Sequence, residues 1–227
     1  MARLTTEEYI RDKVETYGLS TGINKKPCFG FGINDAVYIT QSTYRGWHCP
    51  HFRAWQGTMQ RGHSVKFKQH KPTYQDCSVD MRWKYFSAFL DWSLKGFVEG
   101  WELDKDLLVK DNKVYGPDTC AYVPTYLNNL IKPKTSKTGL PFGVSRQEER
   151  KGTFIITAAK GKAIGGFKTA TEAHRAWQAI KAEQISLTLT RYAKEPEGFR
   201  TDVAEAINTK LWNLMLDYSL GKETYTL

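Results

Sequence analysis

The hydrophobic positions of this chain follow two periods, one near 3.6 residues and one of 2, and predict a mixture of helices and strands. Residues 5–17 carry apolar side chains at helical intervals. Thr5 and Glu8 have the spacing of a capping box, which predicts that a helix starts there. A short strand is predicted over 37–40, and a helix that carries Phe86 on one face is predicted further on.

The segment from Trp101 to Ile131 holds the pattern on which the functional prediction depends. A strand is predicted over 101–109, a turn at Asp111-Asn112 and a second extended run over 120–123. Pro124 suits the first position of a following helix, because its missing N–H would have no partner there.

Two strands and a helix in this order would bring acidic side chains close to amide side chains. The residues concerned are Asp104, Asp106, Asn128 and Asn129. Carboxylate and amide oxygens are ligands that Mg²⁺ accepts. The segment therefore predicts a magnesium site.

A second module is predicted over 141–185, after a polar, basic linker over 132–140. Three short strands are expected, over 143–146, 152–157 and 162–167. Thr169 and Glu172 then have capping-box spacing, and an apolar stripe continues along the helix that they begin.

The tail, residues 186–227, is predicted to contain an amphipathic helix from about Asp202 to Leu220. Its apolar positions are Ile207, Leu211, Leu214 and Tyr218, with Trp212 and Met215 beside them. Two roles stay open, because so wide an apolar stripe needs a partner surface. Either the helix docks on its own chain, or it pairs with the same helix of a second copy. We therefore expect a monomer or a homodimer formed through this helix.

Charge narrows the choice of partner. The 227 residues include 33 Lys and Arg against 24 Asp and Glu, a net charge of +9. Such an excess favours polyanions, of which nucleic acid is the commonest. Residues 44–86 hold eight basic and two acidic residues with aromatics between them, and residues 131–185 hold eleven basic and four acidic ones. This mixture suits phosphate contact, with the aromatics either packed in a core or stacked on bases.

The cysteines and histidines offer a zinc alternative. Four cysteines are widely spaced and form no C-x-x-C pair, which argues against a zinc ribbon and a disulfide scaffold. Four histidines lie in the basic segment: His48, His51, His63 and His70. With Cys49 or Cys77 they match no known finger spacing, so zinc is not the predicted metal. One of them is a candidate general base.

The chain is expected to be neither secreted nor membrane-spanning. The first ten residues contain no apolar signal region, and no window approaches 18 apolar residues. Free thiols suit a reducing compartment, so the predicted location is the cytoplasm.

A longer motif runs through the central segment: Leu103-Asp104-Lys105-Asp106, Asn112, Tyr115, Pro117, Thr119-Cys120 and Tyr122-Val123. It resembles the strand-strand-helix metal fold of the HNH (His-Me finger) nucleases, in a phage-type branch. The resemblance implies one Mg²⁺ or Mn²⁺ ion held by Asp104 and by Asn128 or Asn129, with Asp106 as a further carboxylate. Lys105 stands where the family usually has the His that acts as general base.

Two further patterns extend this resemblance. The run from His51-Phe52-Arg53 to Arg61, followed by Cys77 to Phe89, is similar to the leader of the same nuclease branch, so the likeness covers 44–131. The run GVS…KGTFIITAAKGKAIGGFKTATEAHRAW within 141–185 resembles the Apetala-type (plant ethylene-response-factor) DNA-binding domain. Such domains lay their sheet in the major groove of DNA.

The second likeness implies that the sheet face away from the helix contacts DNA. The candidates on that face are Arg146, Thr153, Ile155, Thr157 and Lys162, with Arg150, Lys151 and Lys160 nearer the phosphates. The leader adds Arg53, Arg61, Lys66 and Lys68. A small packing module with a basic surface is the alternative.

Two functions stay open at this point. The first is a homing-like phage endonuclease that cuts duplex DNA in the host cell of the phage, with Asp104, Lys105, Asp106 and Asn128 as its catalytic centre. The second is a DNA-binding or host-interaction protein on an HNH-like scaffold whose catalysis has lapsed, for which Lys105 is the main support. A third interpretation, a structural protein that binds no nucleic acid, ranks last because it requires the clustering of charge to be accidental.

The predicted fold class is α+β: a strand-strand-helix nuclease core, then a three-stranded antiparallel sheet packed on a helix, plus terminal helices. The predicted segments are an N-terminal helix and glycine-rich segment (1–43), an HNH-like nuclease domain (44–131), the linker (132–140), the Apetala-type module (141–185) and the helical tail (186–227).

Overall fold

The computed structural model describes residues 3–20, 26–131, 139–147, 153–157 and 163–225. They form an α+β protein with small sheets, one of which is three-stranded and antiparallel. The predicted α+β class and the predicted three-stranded sheet are therefore confirmed. The chain divides into two compact units, Met1–Val123 and Pro124–Leu227.

The first unit begins with the predicted helix. α1 spans Thr6–Tyr17, and its capping box is present, because Thr5 Oγ1 accepts from the Glu8 N–H and the Glu8 carboxylate accepts from the Thr5 N–H. Gly18 ends the helix at a φ of 95°, a conformation that glycine adopts without strain. The further helices are α2 (Pro50–His63), α3 (Val65–His70) and α4 (Phe86–Leu94).

The described strands of the first unit pair in twos. β1 (Gln41–Ser42) and β2 (Trp47–His48) are antiparallel, β3 (Ser78–Val79) and β5 (Val114–Tyr115) are parallel, and β4 (Glu102–Asp104) and β6 (Ala121–Val123) are antiparallel.

Two predicted strands are shorter in the structure. The segment 37–40 contributes an isolated bridge between Tyr38 and Leu19 instead of a strand. The strand predicted over 101–109 ends at Asp104. The cause of the second difference is local, since the Asp104 side chain accepts from two backbone N–H groups that follow it and turns the chain.

An aromatic core holds the first unit together. Trp55, Trp83, Phe86 and Phe89 are almost fully buried. The Trp55 indole N–H donates to the Trp83 carbonyl at 2.8 Å, so its buried donor is satisfied. For Trp55, Trp83 and Phe86, which belong to the basic segment, the core interpretation is confirmed, and they cannot stack on bases.

The second unit contains the sheet. Its elements are α5 (Thr125–Ile131), β7 (Val144–Gln147), β8 (Thr153–Thr157), β9 (Ala163–Phe167), α6 (Ala170–Tyr192) and α7 (Thr201–Ser219). The strands lie in the order β7-β8-β9, all antiparallel. α6 begins with the predicted capping box of Thr169 and Glu172 and packs on the sheet.

The contact between helix and sheet depends on one glycine. Gly143 has a φ of +78°, and a Cβ atom built on it would lie 2.3 Å from the Trp177 ring on α6. Only glycine allows this backbone conformation and this approach together. Trp177 therefore lies directly against the chain that leads into β7.

The compact units differ from the predicted segments. α5 belongs to the second unit, where Arg191 of α6 stacks 3.7 Å from the Tyr126 ring centroid and Glu195 accepts from the Tyr126 hydroxyl at 2.7 Å. α6 runs to Tyr192, beyond the predicted module end at residue 185. The predicted nuclease segment 44–131 thus contributes to both units.

Candidate functional site

Asp104 stands at the end of β4 and shapes the loop that follows. Its Oδ1 accepts from the N–H groups of Asp106 at 3.0 Å and Leu107 at 2.8 Å. Its backbone pairs with Ala121 of β6. The carboxylate is thus fixed both by the strand pair and by the turn.

Lys105 points into this loop and not into solvent. Its side chain is 8% exposed, and its ammonium donates to Asp106 Oδ2 at 2.8 Å and to the Asn112 carbonyl at 2.9 Å. The Asn112 amide in turn donates to the carbonyls of Lys105 at 2.6 Å and Val114 at 2.7 Å. Hydrogen bonds of its own polar side chains therefore hold the loop in this conformation.

The charges around Asp104 favour a nearby cation. Burial raises the pKa of the Asp104 carboxyl, and the neighbouring Asp106 carboxylate raises it further. Beside them lies the buried thiol of Cys120. Burial raises its pKa to about 12, with a smaller contribution in the same direction from Asp104 and an opposing one from Arg61.

Arg61 reaches this region from α2. Its guanidinium lies 4.9 Å from the centroid of the Tyr115 ring, and the Lys105 ammonium lies 5.9 Å from the same centroid. Two cations thus flank one aromatic residue of β5, near the Asp104 loop. The sequence placed Arg61 among the DNA-contacting residues but not at this site.

Asn128 and Asn129 lie on α5, directly after β6. α5 begins at Thr125, one residue later than predicted, and the Pro124 carbonyl accepts from the N–H groups of Leu127 and Asn128. Asn128 is buried and Asn129 is exposed. Asp104 belongs to the first unit and α5 to the second, so their convergence on one metal ion stays a prediction.

Within the described residues, no three His, Cys, Asp or Glu side chains are grouped as a metal site. Three of the four histidines of the basic segment have clearly different surroundings. His51 is in the core and bonds Ser93, while His63 stacks on Phe31 with ring centroids 4.0 Å apart. His70 is exposed and bonds the Lys66 carbonyl.

The basic candidates of the first unit differ in exposure. Arg53 and Lys66 are exposed, on α2 and α3. Lys68 is half-buried, and its ammonium donates to the Cys77 carbonyl at 2.8 Å. Lys68 therefore has a structural contact, whereas Arg53 and Lys66 are accessible to a polyanion.

In the sheet, strand register separates the candidates into two faces. Val144 pairs with Ile156, and both are buried. Arg146 pairs with Phe154, and because side chains alternate along a strand it shares the face of Val144. The assignment of Arg146 to the face away from the helix is therefore corrected, although its side chain is exposed.

The opposite face carries Ile155, as predicted, and also Ser145, which pairs with it. Ser145 is exposed and Ile155 is half-buried. Thr153 and Thr157 begin and end β8. The remaining candidates, Arg150, Lys151, Lys160 and Lys162, lie outside the described residues.

Two contributors to these surfaces, Arg61 near the Asp104 loop and Ser145 on the sheet, were not predicted, although the sequence contains a signal for each. The sequence signal for α2 is Pro50 in its first turn, together with Phe52, Trp55 and Met59 at helical spacing. With α2 recognised, Arg61 falls two residues after Met59 on a helix that packs on β3 and β5. Ser145 follows from alternation once Val144 is taken as buried.

The apolar surface of α7 is only partly buried. Ile207 and Leu214 are buried, whereas Trp212 and Met215 are more than half exposed and Leu216 is 39% exposed. Monomer and homodimer both stay predictions. Light scattering of the wild type beside Trp212→Lys distinguishes them.

None of the helices in the described ranges is both long enough and apolar enough to span a bilayer. Comparison of the chain with models of protein families, with curated proteins and with solved structures gave no match.

Proposed function

We propose that this protein is a Mg²⁺- or Mn²⁺-dependent endonuclease that cuts duplex DNA in the host cell of a phage. The observation that supports it best is the chain path from β4 to α5. An antiparallel strand pair has Asp104 at the end of its first strand, and a helix with Asn128 and Asn129 follows the second strand at once. This is the order of elements in the HNH-type metal fold, which the motif of the same segment resembles.

The carboxylates of Asp104 and Asp106 suit a divalent cation. Burial and mutual repulsion both disfavour the charged form of Asp104, and a cation beside it would offset both. In this proposal Asp104 and Asn128 or Asn129 hold the ion, with Asp106 as the second carboxylate. When bound, such an ion polarises the phosphate and stabilises the leaving oxygen.

Lys105 acts through its neighbours. Its ammonium donates to Asp106 and to the Asn112 carbonyl, so it holds the loop in the conformation that presents both carboxylates. An ammonium has no lone pair with which to take a proton from water. Lys105 is thus a positioning residue in this proposal, and the base comes from elsewhere.

DNA would be held by a basic surface of the first unit and by the sheet of the second. Arg53 and Lys66 are exposed on the first unit, where Lys and Arg make contacts with phosphates that set register and orientation. In the second unit the open sheet face with Ser145 and Ile155 is the surface that fits a groove. These contacts make binding strongly dependent on salt.

The decisive experiment is incubation of the purified protein with supercoiled plasmid in Mg²⁺ or Mn²⁺. The wild type should convert the plasmid to the nicked form. Asp104→Asn keeps an oxygen that can accept from the loop but removes the charge, and should lower the rate at least about 100-fold. Asp76→Asn, an exposed acidic residue of the same unit, is the matched control and should retain the wild-type rate.

Full nicking by Asp104→Asn and by Asp104→Ala would rule out this site. The buried Lys105, whose ammonium donates to Asp106 and to the Asn112 carbonyl, favours a second function, a DNA-binding protein whose catalysis has lapsed, because no base occupies the family's usual position. That function requires salt-dependent binding in a gel-shift titration with no cleavage in any divalent ion.

A further inference from the structure

His174 on α6 joins three parts of the second unit and is almost fully buried. Its Nδ1 lies 2.9 Å from the carbonyl oxygen of Phe142, which precedes β7, and its Nε2 lies 3.0 Å from the backbone nitrogen of Thr224. A carbonyl can only accept a hydrogen bond, and a backbone N–H can only donate one. Both contacts therefore require the neutral imidazole with its proton on Nδ1.

Thr224 belongs to a strap, residues 222–225, which follows α7 and lies against α6. The Gln178 amide of α6 donates to the Lys222 carbonyl and to Thr224 Oγ1, both at 3.0 Å. The Thr224 hydroxyl donates to Asp217 Oδ2 of α7 at 2.9 Å. Since Thr224, Gln178 and His174 are all buried, the strap covers this part of α6.

The imidazole is also held by its aromatic neighbour. Trp177 stacks beside it, with ring centroids 5.5 Å apart and ring planes at 17°. Trp177 lies in turn against Gly143, where a Cβ atom would approach its ring to 2.3 Å. Because packing keeps the imidazole in place, a change in its protonation acts first on its two hydrogen-bond partners.

The charged residues beside these contacts come from α6, α7 and the strap: Arg175, Asp217, Lys222 and Glu223. Residues 139–145, which lead into β7, carry no charged side chain, and Arg146 of β7 lies over the Phe154 ring. Both carboxylates are engaged, Asp217 by the Thr224 hydroxyl and Glu223 by the Tyr225 hydroxyl. Within the described ranges none of these groups forms an ion pair with His174, so a protonated ring has no carboxylate partner there.

A proton on Nε2 would turn the acceptor of the Thr224 N–H into a second donor that faces it. An alternative acceptor lies one helical turn further along α6. Gln178 Oε1 is buried and has no hydrogen-bond partner in the part of the chain that the structure describes. When the strap leaves, the Gln178 amide loses its bonds to Lys222 and Thr224 and can turn this oxygen towards the new N–H.

We infer that His174 is a pH-sensitive switch, which holds the strap when neutral and releases it when protonated. The released state takes up a proton that the docked state excludes. Each pH unit below the ordinary histidine pKa of about 6.5 therefore weakens docking by up to about tenfold. Release uncovers His174 and Gln178 on α6. The switch does not depend on the proposed endonuclease function, because none of its residues belongs to the Asp104 site.

Hydrogen exchange of the Thr224 backbone amide, followed by NMR in the full chain, measures the release. After correction for the direct effect of pH on exchange, the protection of this amide in the wild type should fall at least about tenfold between pH 7.5 and pH 5. The amide of Ile185, a buried residue of the same helix, should keep its protection, because the strap leaves while α6 stays folded.

His174→Gln is the matched variant, because a glutamine oxygen can accept from the Thr224 N–H but does not titrate. The protection of its Thr224 amide should change less than about twofold over the same pH range. His70→Gln replaces an exposed histidine of α3 and should keep the pH dependence of the wild type.

Constant protection of Thr224 in the wild type would overturn the switch without any variant. An equal loss at Thr224 and Ile185 would overturn it too, because acid would then unfold the whole unit. The same holds if His174→Gln loses protection as the wild type does. If that variant does not fold, NMR titration of the wild-type His174 ring decides, since its midpoint must coincide with the loss of Thr224 protection and a mismatch rejects the switch.

Discussion

Acid should weaken the first unit through one buried histidine. His51 on α2 is 3% exposed, and its Nδ1 lies 2.8 Å from the Ser93 hydroxyl, which is 2.7 Å from the Tyr122 hydroxyl. Its ring meets the edge of Tyr9 at a centroid distance of 5.1 Å. Burial, with a smaller effect of the Lys13 charge, lowers the pKa of His51 from 6.5 to about 4.

The size of the effect follows from these two values. Each pH unit between the unfolded and folded pKa corresponds to about 1.4 kcal/mol. The contribution of His51 is fully present above pH 6.5, because the side chain is then neutral in both states. As the pH falls towards 4, the unfolded chain takes up a proton that the folded protein does not, and about 3 kcal/mol of stability is lost.

Urea unfolding between pH 4 and pH 7.5 measures this loss. His51→Asn keeps a polar group but does not titrate, so its stability should lack the His51 part of the acid slope. His70→Asn replaces an exposed histidine and should give a curve parallel to that of the wild type. Carboxylates held in ion pairs titrate in all three proteins and cancel in the comparison.

Two results would refute this reasoning. One is a pH dependence in His51→Asn that matches the wild type within about 0.5 kcal/mol. The other is an NMR titration of the His51 ring with a midpoint near 6.5 in the folded protein. Either would mean that the ring accepts a proton in the folded state at little cost.

Two further predictions concern the second unit. Gly143→Ala should cost about 3 kcal/mol in chemical unfolding, because it combines a left-handed φ with overlap on the Trp177 ring. Gly139→Ala, where φ is +69° and nothing lies within 4 Å, should cost only the conformational part, about 1 kcal/mol; equal losses would contradict the overlap. Ser145→Glu should weaken binding to duplex DNA about tenfold by placing a negative charge on the open sheet face. Ser186→Glu, at an exposed position of α6, should bind within twofold of the wild type, and equal affinity of the two variants would exclude that face.

Elements with a local cause could be predicted from the sequence. The capping boxes of Thr5 and Thr169 set the starts of α1 and α6, because one side chain and one backbone N–H three residues apart determine each. The three strands of the second unit lie within one residue of their predicted bounds at each end. α7 also follows directly from its spacing, within one residue at each end.

Features that depend on distant residues could not be predicted in this way. The division at Val123 and Pro124 arises because Tyr126 of α5 meets Arg191 and Glu195, more than 60 positions later. The strand predicted after Trp101 is shortened because the Asp104 side chain competes for backbone N–H groups.

In the candidate site, too, features with a local cause could be predicted from the sequence, whereas features that depend on distant residues could not. Asp104 and Asp106 could be identified from the motif, but the burial of Lys105 could not, since it requires the Asn112 carbonyl seven residues away. The position of Arg61 near this loop could not be predicted either, because it depends on the packing of α2 on β5 and not on residue spacing within the motif.

The turn after β4 has a consequence for which substitutions position 104 tolerates. One oxygen of the aspartate is engaged by the two N–H groups of the turn, which leaves Oδ2 as the atom that the turn does not use. Glutamate has the same charge, but its extra methylene would carry the carboxylate past those N–H groups. Side-chain length, as much as acidity, therefore restricts this position to aspartate, with asparagine as the nearest shape that still closes the turn.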